Sequence, residues 1–285
     1  TDAAYVLHGR KRGRGVEIQQ LIEEIAAAQT VHTWRNRRWA VLIGINLLFT
    51  LSFWLDIQLV EGSLTASRFL GFHMADIYSS FLVALAQHHI PINLVIGAVT
   101  VFLFWGLVGG RAFCSWVCPV NIVTETAAAL RRKLNFEEKE HALTFSRNIR
   151  YWVIAITLGL SLLFSLAAFE MISPIGIAHS GVIFGFGFGW LFLVAIFLFD
   201  LFSQKYGWCG HICPLGGFNA LIGKYSLIKV VHDKEKCLDS LACFKVCPEV
   251  EVLNMVGKYS APVTAAGCIK CGRCIEVCDN DAFHV

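Results

Sequence analysis

Charge is scarce in this chain: only 16% of its 285 residues are Asp, Glu, Lys or Arg, while 56% are hydrophobic. A mean hydropathy of +0.59 excludes the composition of an ordinary water-soluble domain and points to the membrane class. No Cys-x-x-Cys-His occurs, which excludes covalently attached haem. Histidine is missing from every long apolar stretch, which leaves no pair to ligate a haem between them. The formal charge is only +3, and no nucleic-acid partner is expected.

What is abundant is apolar length. Trp39 to Leu55, Pro91 to Gly110, Tyr151 to Phe169 and Gly181 to Phe199 are uncharged. Each supplies about the 17 to 25 residues that a hydrocarbon layer requires, so four transmembrane helices are expected. Arg10, Lys11, Arg12, Arg14, Arg35, Arg37 and Arg38 precede the first stretch, and Arg111, Arg131, Arg132, Lys133, Lys139, Arg147 and Arg150 lie between the second and third. The other two connections hold only Arg68. Because basic residues collect on the cytoplasmic side, both termini are expected there, in a multi-pass protein of the bacterial inner membrane. The first stretch is too long for a cleaved signal peptide and lacks a small-residue cleavage site. Before it, residues 1–38 read as a cytoplasmic extension whose Val16 to Ala28 segment has helical apolar spacing.

Eleven cysteines on a reducing face imply ligation rather than disulfides. They fall into two patterns. "RAFCSWVCPVN" and "YGWCGHICPLG" repeat a Cys-x3-Cys-Pro, with 95 residues from Cys114 to Cys209 and from Cys118 to Cys213. Duplicated halves in one orientation imply a pseudo-twofold axis along the membrane normal, across which the two pairs face each other. A shared metal or iron–sulfur centre on Cys114, Cys118, Cys209 and Cys213 is the preferred reading; thiol chemistry or packing of small residues are the alternatives.

The second pattern is ferredoxin-like. Cys268, Cys271, Cys274 and Cys278 stand at C-x2-C-x2-C-x3-C, and the fourth cysteine of such a run crosses to the other cluster. By that rule Cys268, Cys271, Cys274 and Cys247 hold one complete [4Fe–4S] cluster, and Cys237, Cys243 and Cys278 hold three corners of a second, with Ser240 where the fourth cysteine would stand. That corner admits a serinate, Asp239 or water on an open iron, or a [3Fe–4S] cluster lacking it. The expected architecture is thus membrane all-α, four transmembrane helices in two parallel pseudo-symmetric pairs over residues 39–224, followed by an α+β two-cluster ferredoxin-like domain over residues 225–285.

On the outer side, Asp56, His73, Asp76, His88, His89, Glu170 and His179 are candidates for a quinol pocket, since quinol oxidation releases two protons that a His or carboxylate can accept. Of these, His88 and His89 are taken as the catalytic proton acceptors.

The order of these features resembles the NapH family, the membrane quinol dehydrogenase subunits of periplasmic nitrate reductase systems. The resemblance runs from Arg38 onward and is carried by "FCSWVCP", "LFD", "GWCGHICP", "VCPE" and "CGRC". It fails at Ser240, where the family has cysteine. It implies an enzyme that oxidises menaquinol or ubiquinol from the quinone pool in contact with membrane lipid. The electrons would pass through iron–sulfur clusters, with a NapG-like iron–sulfur protein, toward a periplasmic nitrate reductase or its cytochrome. The alternative from another class is an iron–sulfur maturation or redox-regulatory membrane protein serving such a reductase.

Overall fold

The computed structural model describes residues 33–55, 60–69, 71–134, 146–185, 187–278 and 280–285. The stretch Val16 to Ala28, most of the 1–38 extension, and Asp56 lie outside them. The longest helix, α1 (Thr33–Trp54), leads to an antiparallel three-stranded sheet of β1 (Val60–Gly62), β2 (Ala66–Phe69) and β3 (Phe72–Ala75) in that order. Then come α2 (Ile77–Gln87), capped by the Asp76 carboxylate accepting from the Ser79 amide at 3.1 Å, and α3 (Ile92–Val108).

Each apolar stretch is largely helical, but none of the helices suffices to cross a bilayer. Among the described residues no helix is long and apolar enough to do so, which overturns the expectation of four transmembrane helices. The reasons are local. The 17 residues of α3, the 16 of α6 (Ile149–Phe164) and the 14 of α9 (Gly189–Phe202) rise about 25, 24 and 21 Å at 1.5 Å per residue, against a hydrocarbon core of roughly 30 Å. The third stretch stops at Ser165, which turns left-handed at φ 51°, before the short α7 (Ala168–Met171). The fourth is split at Gly185 and Gly187, both at positive φ, between α8 (Pro174–Phe184) and α9. Helix α1 is long enough at 22 residues but opens with Arg35, Arg37 and Arg38 in its first two turns.

The two halves interlock. After α3 come α4 (Ala112–Trp116), which carries Cys114, and α5 (Val120–Lys133). After α9 come a π-helical turn (Trp208–Ile212) and α10 (Pro214–Gly223). Helix α5 packs along α9 and α10 packs on α3, so the helix after each cysteine pair lies against the helix before the other pair. Arg131 on α5, 6% exposed, donates to the Leu201 carbonyl at 2.9 Å in the last turn of α9, where a cation also suits the helix dipole. Tyr78, Leu82, Phe113, Val120, Phe169, Ile175 and Leu215 form the apolar core between the halves, together with Cys118 and Cys213.

Beyond Lys224 a small sheet of order β5 (Ala261–Pro262), β4 (Val231–His232), β6 (Phe283–His284) and two short helices, α11 (Ala242–Val246) and α12 (Arg273–Glu276), enclose a second core of Val230, Val252, Leu253, Met255, Val263 and Phe283. This C-terminal part is held to the helices by charge and backbone hydrogen bonds. Arg111 is 1% exposed and donates to the Glu249 carboxylate, to Gly267 O at 2.7 Å and to Cys209 O at 3.1 Å. Ser115 and Trp116 of α4 donate to the Ile269 and Lys270 carbonyls at 2.7 and 3.0 Å. Arg273 reaches back to the Tyr206 hydroxyl at 2.7 Å and pairs with Glu125, which also takes Arg38.

Candidate functional site

Each Cys-x3-Cys-Pro is a short helical turn, α-helical at Ala112–Trp116 and π-helical at Trp208–Ile212, followed by a second helix. In each, the proline starts a helix, because its missing N–H would have been unpaired there and its φ is already helical. Pro119 precedes Val120 at the start of α5, and Pro214 opens α10. The second cysteine of each pair therefore sits at a helix N-terminus, where free amides point at its sulfur. The nearby Val120 and Asn121 amides favour the thiolate of Cys118, and the Leu215 and Gly216 amides that of Cys213, against the larger effect of burial.

Four thiols converge from these two segments. Burial pushes Cys213 up to about 12, with Cys114 adding to the shift. Cys118 and Cys209 are held well above the ordinary thiol value, first by burial and then by the other cysteines of the group. Cys114 is raised by burial, partly offset by the Arg111 guanidinium. All four are free thiols. A desolvated set that resists ionisation alone, yet is aimed at helix N-termini, is suited to thiolates stabilised by bound cationic metal.

The C-terminal cysteines sort into two further groups. Cys247 is raised by burial and then by Cys271 and Cys268, while Cys274 is raised by burial and then by Cys271, Cys268 and Cys247. These four share the wall of one small cavity. Cys243 is pushed to about 12 by burial and then by Cys237 and Cys278. Thus Cys247 sits with the second run of cysteines and Cys278 with the first.

Among the described residues no three His, Cys, Asp or Glu side chains converge tightly enough to hold a single metal ion. That spacing is compatible with a cluster, whose thiolates bind separate irons at the corners of a cube rather than one ion. At the vacant corner, Ser240 is exposed, and the residues on either side of it, Asp239 and Leu241, are left-handed at φ 54° and 57°. The turn brings the Asp239 carboxylate, not the serine hydroxyl, to the Cys237 thiol, at 3.7 Å.

The loop 267–273, which carries Cys268 and Cys271, lies directly on the helical cysteine segments through the Arg111, Ser115, Trp116 and Arg273 contacts. Arg111 is the common neighbour: its charge interacts with Cys114 and Cys209 on one side and Cys268 on the other. Sequence reasoning counted this arginine only as a basic residue of the connection and Glu249 only as the end of "VCPE"; nothing in two motifs 138 residues apart shows that they pair.

His88 and His89 stand exposed at the end of α2, with His88 in the left-handed capping position at φ 50°. Neither lines a cavity described here. His179 is 6% exposed, stacks edge-on against Phe49, and has its pKa lowered by burial. Two of the carboxylates do come together. The Ser79 hydroxyl donates to Glu170 and the Ser79 amide to Asp76, which burial lifts to about 6, with Glu170 contributing.

Comparison with known proteins gives iron–sulfur matches over both regions. A model described as a 4Fe-4S binding domain matches residues 90–137 and 183–233, one segment around each Cys-x3-Cys-Pro, and a 4Fe-4S dicluster domain matches residues 229–279. The chain is 35% identical to the ferredoxin-type protein NapH of Escherichia coli K12 over 88% of its length and 90% of that protein. It is 42% identical to NapH of Haemophilus influenzae over 70% of its length and 71% of that protein. It is 36% identical to the methylamine utilization ferredoxin-type protein MauN of Methylorubrum extorquens over 88% of each chain. No solved structure matches.

Proposed function

The chain belongs to the NapH family of ferredoxin-type proteins, iron–sulfur electron-transfer proteins, and on that footing we propose that it oxidises a membrane quinol and passes the electrons through three cysteine-held centres. The observation that carries this reading is the row of cysteine groups. Cys114, Cys118, Cys209 and Cys213 lie between the helical halves, Cys247, Cys268, Cys271 and Cys274 lie across Arg111 from them, and Cys237, Cys243 and Cys278 follow. The match of a 4Fe-4S model to both Cys-x3-Cys-Pro segments supports iron at the first group.

Bound clusters would supply one-electron carriers; the protein's own contribution is their spacing and electrostatics. Arg111, shielded from water and shared by two groups, lowers the energy of added negative charge on either. Backbone amides at Cys118 and Cys213 act in the same direction. Electrons would leave to a NapG-like partner on the way to a periplasmic nitrate reductase or its cytochrome. Contact with the cytoplasmic membrane is proposed for the exposed apolar side chains of the helices, among them Trp152, Leu163, Phe184 and Phe188 at 70, 78, 72 and 88% exposure.

The test is anaerobic. Iron and sulfide in excess of what the C-terminal seven cysteines can bind, and visible absorbance that bleaches rapidly on adding menaquinol, are the expected results. Clusters that ignore quinol but are reduced by a soluble ferredoxin or flavodoxin would replace this reading with a maturation role.

A further inference from the structure

An open cavity of about 670 Å³ runs between α1, α3 and the C-terminal part. Helix α1 lines it from Trp34 to Phe49, a rise of about 22 Å. Its walls are almost wholly apolar, with Val101, Phe104 and Trp105 of α3 opposite Val41, Ile45 and Leu48 of α1. One end is closed by Thr65, Met74 and Asp76, and Asp76 is the one acidic side chain among its described lining residues. At the other end Lys270 donates to Val108 O at 2.6 Å, to the Ser226 hydroxyl at 2.7 Å and to Ile228 O, so its three protons are engaged.

The shape calls for a long apolar molecule with one polar head. Its wall also identifies what kind. Phe113 and Val117, beside Cys114 and Cys118, line the middle, and Lys270 and Gly272, beside Cys271, line the far end. An acyl chain would leave the Asp76 carboxylate against hydrocarbon and would gain nothing from lying on two cysteine-bearing segments. A quinol satisfies both features.

We propose that this groove seats the quinol, ring against Asp76 and isoprenoid tail along α1 and α3, and that the Asp76 carboxylate accepts a proton from a ring hydroxyl. The inference rests on the quinol reading above and locates it. Oxidation of one quinol to quinone releases two protons and two electrons, which two bound, oxidised iron–sulfur clusters would take up one each. The first proton goes to Asp76, and the second to Glu170, which takes the hydroxyl of the same Ser79 whose amide bonds Asp76. Tyr78 and Cys114 are the other titratable groups within electrostatic reach of Asp76.

Trp34, Trp105 and Trp116 line the groove, so a bound quinone quenches their fluorescence, a readout independent of turnover. The anaerobically purified full chain is titrated with menaquinone-4 and with its dithionite-reduced quinol, the latter followed by competition. Leu48→Phe, which narrows the groove, should weaken both about tenfold. Asp76→Asn, which keeps the helix cap, should weaken the quinol about tenfold and the quinone less, the loss of one hydrogen bond to a charged acceptor. Leu163→Ala, outside the groove, should change neither. Titrations of Leu48→Phe and Asp76→Asn that superimpose on the unaltered protein overturn the proposal, as does weakening by His88→Gln or His89→Gln instead. Cluster reduction by quinol that persists in both groove variants would overturn this site while leaving quinol oxidation standing. Quinone binding lost in Leu48→Phe, in a protein whose clusters quinol never reduces, would support the groove and refute the dehydrogenase reading.

Discussion

Replacing Glu249 by Gln tests whether buried charge holds the two parts of the molecule in register. Glu249 is 4% exposed and its carboxylate takes Arg111 on one oxygen and Arg147 on the other. Glutamine preserves the shape and one acceptor but removes the charge that compensates Arg111, itself 1% exposed and left with only the Gly267 and Cys209 carbonyls. Removing one member of a buried pair strands the other in low dielectric and costs about 3–5 kcal/mol. A loss of about 4 kcal/mol is roughly a thousandfold in the unfolding equilibrium. Urea denaturation of the anaerobic protein, followed by loss of visible absorbance and by circular dichroism, measures it. The double change Arg111→Met with Glu249→Met strands neither Arg111 nor Glu249, while Arg147 keeps Glu251 at 3.2 Å, and it should fall short of the summed single losses by about 2 kcal/mol. A Glu249→Gln midpoint equivalent to less than about 0.5 kcal/mol would refute the reasoning, since that is the scale of an ordinary surface change.

Close approach of the halves predicts a contrast between two glycines. A Cβ on Gly110 would lie 2.1 Å from Asn219 O, a backbone atom, so Gly110→Ala should cost about 1–3 kcal/mol in the same denaturation assay. In mid-α1, Gly44 has nothing within 4 Å, and Gly44→Ala should instead gain about 0.5–1 kcal/mol. At the cluster with three cysteines, Asp239→Ala should alter the electron paramagnetic resonance spectrum while Ser240→Ala leaves it unchanged, because the turn presents the aspartate to Cys237. Iron removal by chelation should leave Cys213 unreactive toward iodoacetamide at pH about 8, as read by mass spectrometry, since burial holds its thiol near 12. Burial lifts Asp76 from 3.8 to about 6, so between those values the folded chain binds the proton more tightly than the unfolded one. Its contribution to stability is present below 3.8 and lost as pH rises toward 6, and Asp76→Asn should flatten that slope in denaturation midpoints.

Short-range chemistry was legible in the sequence. Cysteine spacing and the proline after each pair are patterns of a few neighbouring residues, and together with the 95-residue repeat they implied iron–sulfur ligation. The helical character of the apolar stretches was legible for the same reason. Their extent was not: hydropathy counts residues without charge, whereas helix length is set by backbone conformation, and left-handed Ser165, Gly185 and Gly187 end helices inside stretches that read as continuous. The surroundings of the quinol candidates were illegible on similar grounds. His88 and His89 have the right chemistry, but nothing local shows that they cap a helix in the open while Asp76, in the same list of candidates, closes an apolar groove.

The sequence by itself determined where the thiols stand along the chain, because their spacing is a covalent fact. Only the tertiary structure decided what surrounds them: Arg111 between two cysteine groups, Asp239 turned toward Cys237, and a groove whose walls come from α1, α3 and the loop at Lys270. Those arrangements join residues up to 162 positions apart, as Lys270 to Val108, and arise from packing and from the need of buried charges for partners, which no local pattern records.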